Sequence, residues 1–236
     1  MRIWHGAVRG LKETASALMY PDRGRRYTKE YMGNQYSVYE GQSNYIWILD
    51  AGHGGMIDGV YQTEGKRSPK WEDGSQLFEG VSNREMVNRI ATQLEYMNIS
   101  YVKLVDTEKD TPLSVRTKLA NQLLEDESKK RNGRKLIYVS IHSDAWSTPH
   151  AGGWSVFTSI GVTLSDRVAH HFAQKFKEIF PEERLRADPS DGYLDVEANF
   201  WVLRRTKMPA ILTENFFMTN PRECKEILMT ESVGVR

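Results

Sequence analysis

Three short, almost wholly apolar runs at residues 45–49, 136–141 and 210–213 constrain this chain more than any other feature. They are too short for helices and lack the polar–apolar alternation of a half-exposed strand, so they read as strands buried on both faces. The segments between them have a different period. Apolar side chains recur at Met86, Val87, Ile90, Leu94 and Met97, and again at Leu113, Val115, Leu119, Ala120 and Leu123, which is helical spacing. Further strands are expected at 100–105, 154–158 and 200–203, and further helices at 162–179 and 221–229. Alternating strands and helices predict one α/β domain, residues 45–236, around a largely parallel sheet.

Residues 1–44 are rich in Tyr, Arg and Gly, with a weak helical stretch at 8–19, and read as an irregular N-terminal extension. Arg23, Arg25, Arg26 and Lys29 form a local basic cluster there. The whole chain is nearly balanced, with 32 Lys and Arg against 31 Asp and Glu. That balance argues against nucleic-acid or membrane-surface binding driven by bulk charge. Cys224 is the single cysteine, so this chain has neither an internal disulfide framework nor a cysteine-based structural zinc site. No apolar stretch approaches the roughly 20 residues of a membrane span, and the first residues lack the apolar core of a secretory signal. The expectation is a chain made in the cytoplasm that meets any external substrate after release or export.

Four polar residues stand at the ends of these elements. His53 follows Ile46-Trp47-Ile48-Leu49-Asp50-Ala51-Gly52, and His142 follows Ile137-Tyr138-Val139-Ser140-Ile141. Glu79 precedes the helical stretch beginning near Asn83, and Glu214 follows Ile211-Leu212-Thr213. Each of the first three has a plainer reading alone: a histidine in a glycine turn, a satisfied core histidine, a glutamate complementing a helix dipole. Glu214 is harder to explain, because an unpaired carboxylate at the end of a buried strand is costly. Carboxyl ends of strands are where ligands bind in open α/β sheets. Two imidazoles and a carboxylate suit a catalytic zinc, with one carboxylate left to move protons. Asp50 is expected to hold the second ring nitrogen of a ligating histidine. His5, His150, His170 and His171 have no supporting pattern.

Taken in order, six blocks resemble the zinc-dependent N-acetylmuramoyl-L-alanine amidases of the amidase-3 family. They are Leu49-Asp50-Ala51-Gly52-His53-Gly54-Gly55; Glu79 with Asn83; the stretch from Leu113 to Asn121; Ser140-Ile141-His142-Ser143-Asp144-Ala145; Gly152-Gly153; and the stretch from Val202 to Glu214. The resemblance implies a mixed, mostly parallel sheet of about six strands flanked by helices. It implies Zn²⁺ held by His53, Glu79 and His142, with Glu214 as the catalytic glutamate. The implied partner is peptidoglycan, cut between N-acetylmuramic acid and L-alanine of the stem peptide, as in a phage-type lysin (endolysin). Two other readings use the same residues: a zinc peptidase acting on the stem peptide, and a non-catalytic or autoinhibited peptidoglycan-binding protein. The chain departs from the family pattern at Phe216, where a glycine is usual, and in a long polar loop at 56–78. That loop is expected to line a groove, with Tyr61 and Trp71 against substrate, or to close as a lid through Glu64, Glu72 or Asp73.

Overall fold

The computed structural model describes residues 24–230; His5, Arg23 and the 8–19 stretch lie outside them. Among the described residues eight strands form one sheet. Its centre is parallel: β6 (Ser100–Lys103), β3 (Tyr45–Ala51), β7 (Lys135–Asp144) and β10 (Ala210–Phe217). The antiparallel hairpin of β1 (Arg25–Tyr31) and β2 (Asn34–Glu40) extends one side through β6. β8 (Ser155–Thr158) lies antiparallel to β10, and β9 (Val196–Glu197) follows it in parallel.

The sheet alternates strictly between two cores. Ile46 and Ile48 of β3, with Leu136 and Tyr138 of β7, face Leu119 and Ala120 of α2 (Leu113–Ser128). Trp47, Leu49, Ile137, Val139 and Ile141 face the other way. There they meet Val87, Ala91 and Leu94 of α1 (Glu79–Tyr96) and Ala169, Ala173 and Phe176 of α3 (Leu164–Ile179). Burial on both faces is why these strands read as continuous apolar runs. A capping box starts α3: the Thr163 hydroxyl accepts from Ser165 N at 3.0 Å, and Asp166 reaches back to Thr163 N.

The α/β class stands, with three differences from expectation. The sheet has eight strands rather than about six. Residues 25–40, grouped by sequence with an irregular extension, form two of the added strands; β1 is charged and exposed at most positions, which hides the β pattern, while β2 buries Tyr36 to Tyr39. Residues 200–203 are not a strand. The short helix α4 (Trp201–Arg205) stands there, and its buried Val202 and Leu203 are adjacent, a pair consistent with either structure. Within 56–78, β4 (Met56–Ile57) and β5 (Val60–Tyr61) make a small hairpin.

Connection order locates a crevice. From β3 the chain passes through α1 to β6 on one side, then crosses through α2 to β7 on the other. The carboxyl ends of β3 and β7 therefore flank a topological switch point, where such sheets open a crevice.

Under that point lies a buried ion pair. Arg116 Nη1 donates to Asp50 Oδ1 at 2.5 Å, with side-chain exposures of 2% and 1%. Tyr138 Oη and Ser140 Oγ donate to Asp50 Oδ2 at 2.5 and 3.0 Å. Burial opposes ionisation of Asp50, but the Arg116 charge and these hydrogen bonds outweigh it and hold the carboxyl below its usual range. The folded-state value is depressed, so this contribution is complete above about pH 5 and is lost on acidification below about pH 4. Asp50→Ala strands a buried guanidinium and is expected to cost about 3–5 kcal/mol at pH 7. Urea unfolding should show that gap narrowing at pH 3; an equal gap at both pH values would refute the assignment.

Candidate metal centre

His53 stands two residues past the end of β3, His142 lies near the carboxyl end of β7, and α1 begins at Glu79, so three elements deliver three donors to one point. Glu79 Oε1 lies 3.2 Å from His53 Nε2 and 3.1 Å from His142 Nδ1. The two imidazole rings meet edge to face, with centroids 4.9 Å apart. Burial of Glu79 opposes its charge, yet hydrogen bonds and charge from His142 and His53 hold the carboxyl well below the ordinary range. Its Oε1 also accepts from Ser143 N at 3.3 Å.

His53 adopts a left-handed backbone, φ +64°, a conformation costly for a side chain with a Cβ. Two arginines hold it there. Arg84 Nη1 donates to the His53 carbonyl at 2.9 Å and Arg116 Nη2 at 3.2 Å, while Arg116 Nη1 also takes the Ala51 carbonyl at 2.5 Å. The neighbouring glycines are required for space. A Cβ on Gly52 would stand 2.2 Å from the His142 ring, and one on Gly80 would stand 1.9 Å from the Gly54 carbonyl oxygen. The expected Asp50–histidine hydrogen bond is corrected: both Asp50 oxygens are taken by Arg116, Tyr138 and Ser140, so Asp50 supports the site through the His53 backbone instead.

Glu214 joins the site from β10. It is the register partner of His142 on one side and Ser155 on the other. Its Oε2 is buried without a partner, as are Ser155 Oγ, Ser143 Oγ and Asn83 Oδ1. Burial, then the like charges of Glu79 and Asp144, push its carboxyl well above the usual range against the pull of Lys66 and Arg186. A bulge follows at once: Asn215 and Phe216 oppose Ser143 alone, between the pairs Glu214–His142 and Phe217–Asp144. Bulges next to sites re-aim side chains. This one is held by Asn215 Nδ2 on the His142 carbonyl at 2.8 Å and by Trp154 Nε1 on Asn215 Oδ1 at 2.8 Å. Buried Glu223 accepts from Phe217 N at 2.8 Å and Gly153 N at 2.7 Å. Sequence reasoning missed Arg84 and Glu223, whose charges carry no signal at the surface spacing they occupy. Arg116 lay within a recognised block but showed no role.

A cavity of about 360 Å³ opens beside the histidines, lined by Gly52, His53, His142, Thr111, Pro112 and Leu113. No residue of the 56–78 loop lines it. Glu64, Glu72 and Asp73 stand outside the histidine group, with Asp73 paired to Lys225 at 3.1 Å. Tyr61 Oη accepts from Gly80 N at 2.9 Å at the start of α1, and Trp71 packs on the core beneath Lys225. Both aromatics thus have structural contacts and keep part of their surface exposed. His170 and His171 stay apart from the site on α3, and His150 is exposed.

The family model for N-acetylmuramoyl-L-alanine amidases of the Amidase_3 type matches residues 48–232. The chain belongs to that family. It is 26% identical over 183 residues to the endolysin of Bacillus phage SPP1, covering 77% of this chain and 57% of that protein. It is 27% identical over 235 residues to the N-acetylmuramoyl-L-alanine amidase AmiC of Neisseria meningitidis, covering 79% of this chain and 48% of the relative. The chain thus spans about half the length of these family relatives. The crystal structure of an N-acetylmuramoyl-L-alanine amidase from Clostridium difficile 630 superposes with a TM-score of 0.62 at 28% identity, covering 81% of this chain and 90% of that one. AmiC2 of Nostoc punctiforme, at 22% identity and a TM-score of 0.58, shares the fold.

The departure at Phe216 has a physical reading. Its φ is +63°, the region glycine adopts freely, yet its ring is buried against Phe176 with centroids 5.9 Å apart. Left-handed backbone costs about 1–2 kcal/mol, whereas removing a buried phenylalanine ring costs about 3–5 kcal/mol. Packing wins, so Phe216→Gly is expected to destabilise by roughly 2–3 kcal/mol. Thermal unfolding checks this, and a stabilised variant would show that strain dominates.

Proposed function

We propose that this chain is a zinc-dependent N-acetylmuramoyl-L-alanine amidase, cutting the amide between N-acetylmuramic acid and L-alanine of peptidoglycan. The observation that carries the reading is the convergence of His53, Glu79 and His142 with their donor atoms all within 4.8 Å of one another. Donors held tetrahedrally at zinc distances lie roughly 3.4 Å apart, close to the 3.1 and 3.2 Å from Glu79 Oε1 to the two imidazoles. Two nitrogens and one carboxylate match a catalytic donor set that leaves a position open. Glu214, the register partner of His142 and Ser155, has a buried Oε2 with no partner, and buried polar groups need partners. Family membership, the phage endolysin and the AmiC relative support the amidase reading.

Zinc bound there would supply a Lewis acid for the scissile carbonyl and lower the pKa of a water to about 7. The residues of the chain supply the rest. Glu214 has the high proton affinity of a buried carboxylate beside other carboxylates, which suits a general base that takes a proton from the attacking water. It then returns the proton to the alanine nitrogen, because an amide anion is a poor leaving group. Glu79 stays ionised under its two imidazole contacts and cannot exchange roles with Glu214. The cavity beside His53 admits substrate, and the apolar side chains of Pro112 and Leu113 line one wall of it.

Glu214→Ala is expected to lower kcat by about 10²–10⁴-fold with zinc retained, whereas His142→Ala loses the zinc. Metal analysis is paired with mass spectrometry of digested peptidoglycan. Free stem peptides beginning with alanine support the amidase. Cleavage within the stem would point to a peptidase, and zinc binding without released peptides to a non-catalytic wall-binding protein.

A further inference from the structure

Away from the histidine group, a second set of carboxylates converges where the start of α3 meets the 185–200 segment. Asp166, Asp191 and Glu197 each offer an oxygen, all within 4.8 Å of one another. Local structure explains part of this. Asp166 Oδ2 serves the capping box of α3, Asp191 accepts from Tyr193 N at 3.0 Å, and Glu197 accepts from Gly161 N at 2.8 Å. Behind them Asp195, 4% exposed, has no such explanation. Its Oδ2 accepts from Thr158 Oγ1 at 2.5 Å, and the same hydroxyl lies 3.5 Å from Asp166 Oδ1. Its Oδ1 is buried with no partner. Burial, with the charges of Asp166 and Asp191, raises the Asp195 carboxyl against the hydrogen bonds from Thr158 and its own backbone.

Among the described residues none of the four carboxylates forms an ion pair. Two buried acids sharing one hydroxyl, with two more at their rim, are costly as charged groups unless a cation or a proton joins them. We propose that Asp166, Asp191 and Glu197, backed by Asp195, form a second metal site that takes a hard divalent cation of the calcium class. The donors are all oxygens, which disfavours zinc and copper. Oxygens across a calcium ion lie about 4.6–5.2 Å apart, and calcium tolerates an irregular shell completed by water, unlike magnesium. The bound ion ties α3, the β8–β9 edge and the 185–200 segment together and offsets the charge of the neighbouring buried Asp195.

The test is calorimetric titration of CaCl₂ into the zinc-saturated chain, with thermal unfolding in parallel. One saturable site of about 10⁻⁴–10⁻³ M affinity, the range of many extracellular calcium sites, and a calcium-dependent rise in Tm are expected. The double variant Asp191→Asn, Glu197→Gln changes exposed residues only, so it should keep its calcium-free Tm and lose at least about tenfold in affinity. Asp195→Asn should raise the calcium-free Tm and diminish the calcium-dependent rise. No heat and no Tm shift up to about 10 mM, or a shift the double variant retains in full, overturns the proposal.

Discussion

A guanidinium in the interior of a protein must be answered on every side, and Arg116 is. Asp50, with Asp110 at 3.7 Å, answers its charge, the carbonyls of Thr111, Ala51 and His53 take three more of its hydrogens, and Tyr138 and Ser140 complete the shell of Asp50. By itself such a pair adds little stability, since desolvation consumes most of the attraction. Its value here is geometric. The same guanidinium that neutralises Asp50 holds the His53 carbonyl, and with Arg84 it keeps a histidine in a backbone conformation that histidine disfavours. The imidazole of β3 can then lie edge-on to that of β7 with Glu79 between them.

Much of this was legible in sequence. Short apolar runs between helical segments specify a doubly covered sheet, because only a strand buried on both faces is apolar at every position. A histidine or glutamate at the end of such a run is conspicuous for the same reason, and the structure gathers all four near the switch point. What stayed hidden was whatever depends on contacts between distant segments. Nothing near Arg84 or Glu223 announces burial, because each is one charge among many until a carbonyl or amide from elsewhere meets it. Asp50 was seen, but its partner was taken for a neighbouring imidazole rather than an arginine sixty-six residues on. The 25–40 hairpin was missed because its polar, mostly exposed outer strand mimics a disordered composition.

Glu214 and Glu79 show how one chemical group is set to opposite tasks. Both are glutamates at the ends of regular elements, and both are screened from water. Glu79 receives hydrogen bonds from two imidazoles and a backbone amide; Glu214 receives none at Oε2 and faces two carboxylates. Environment alone separates a carboxylate that stays charged from one that seeks a proton. The bulge at Asn215 and Phe216, clamped by Glu223, lets β10 present Glu214 and then return to register with β7.

The two borders of the sheet bear on how the molecule behaves in company. A long, flat outermost strand offers free amides and carbonyls to any passing chain, a route to aggregation. Here the border formed by β1 carries Arg25, Arg26, Lys29 and Glu30 along its seven residues, so a neighbour would have to desolvate charge to pair with it. The opposite border, β9, is two residues long and gives a neighbour almost nothing to grip. Among the described residues, neither border of the eight-stranded sheet offers a long uncharged strand for a second copy to pair with.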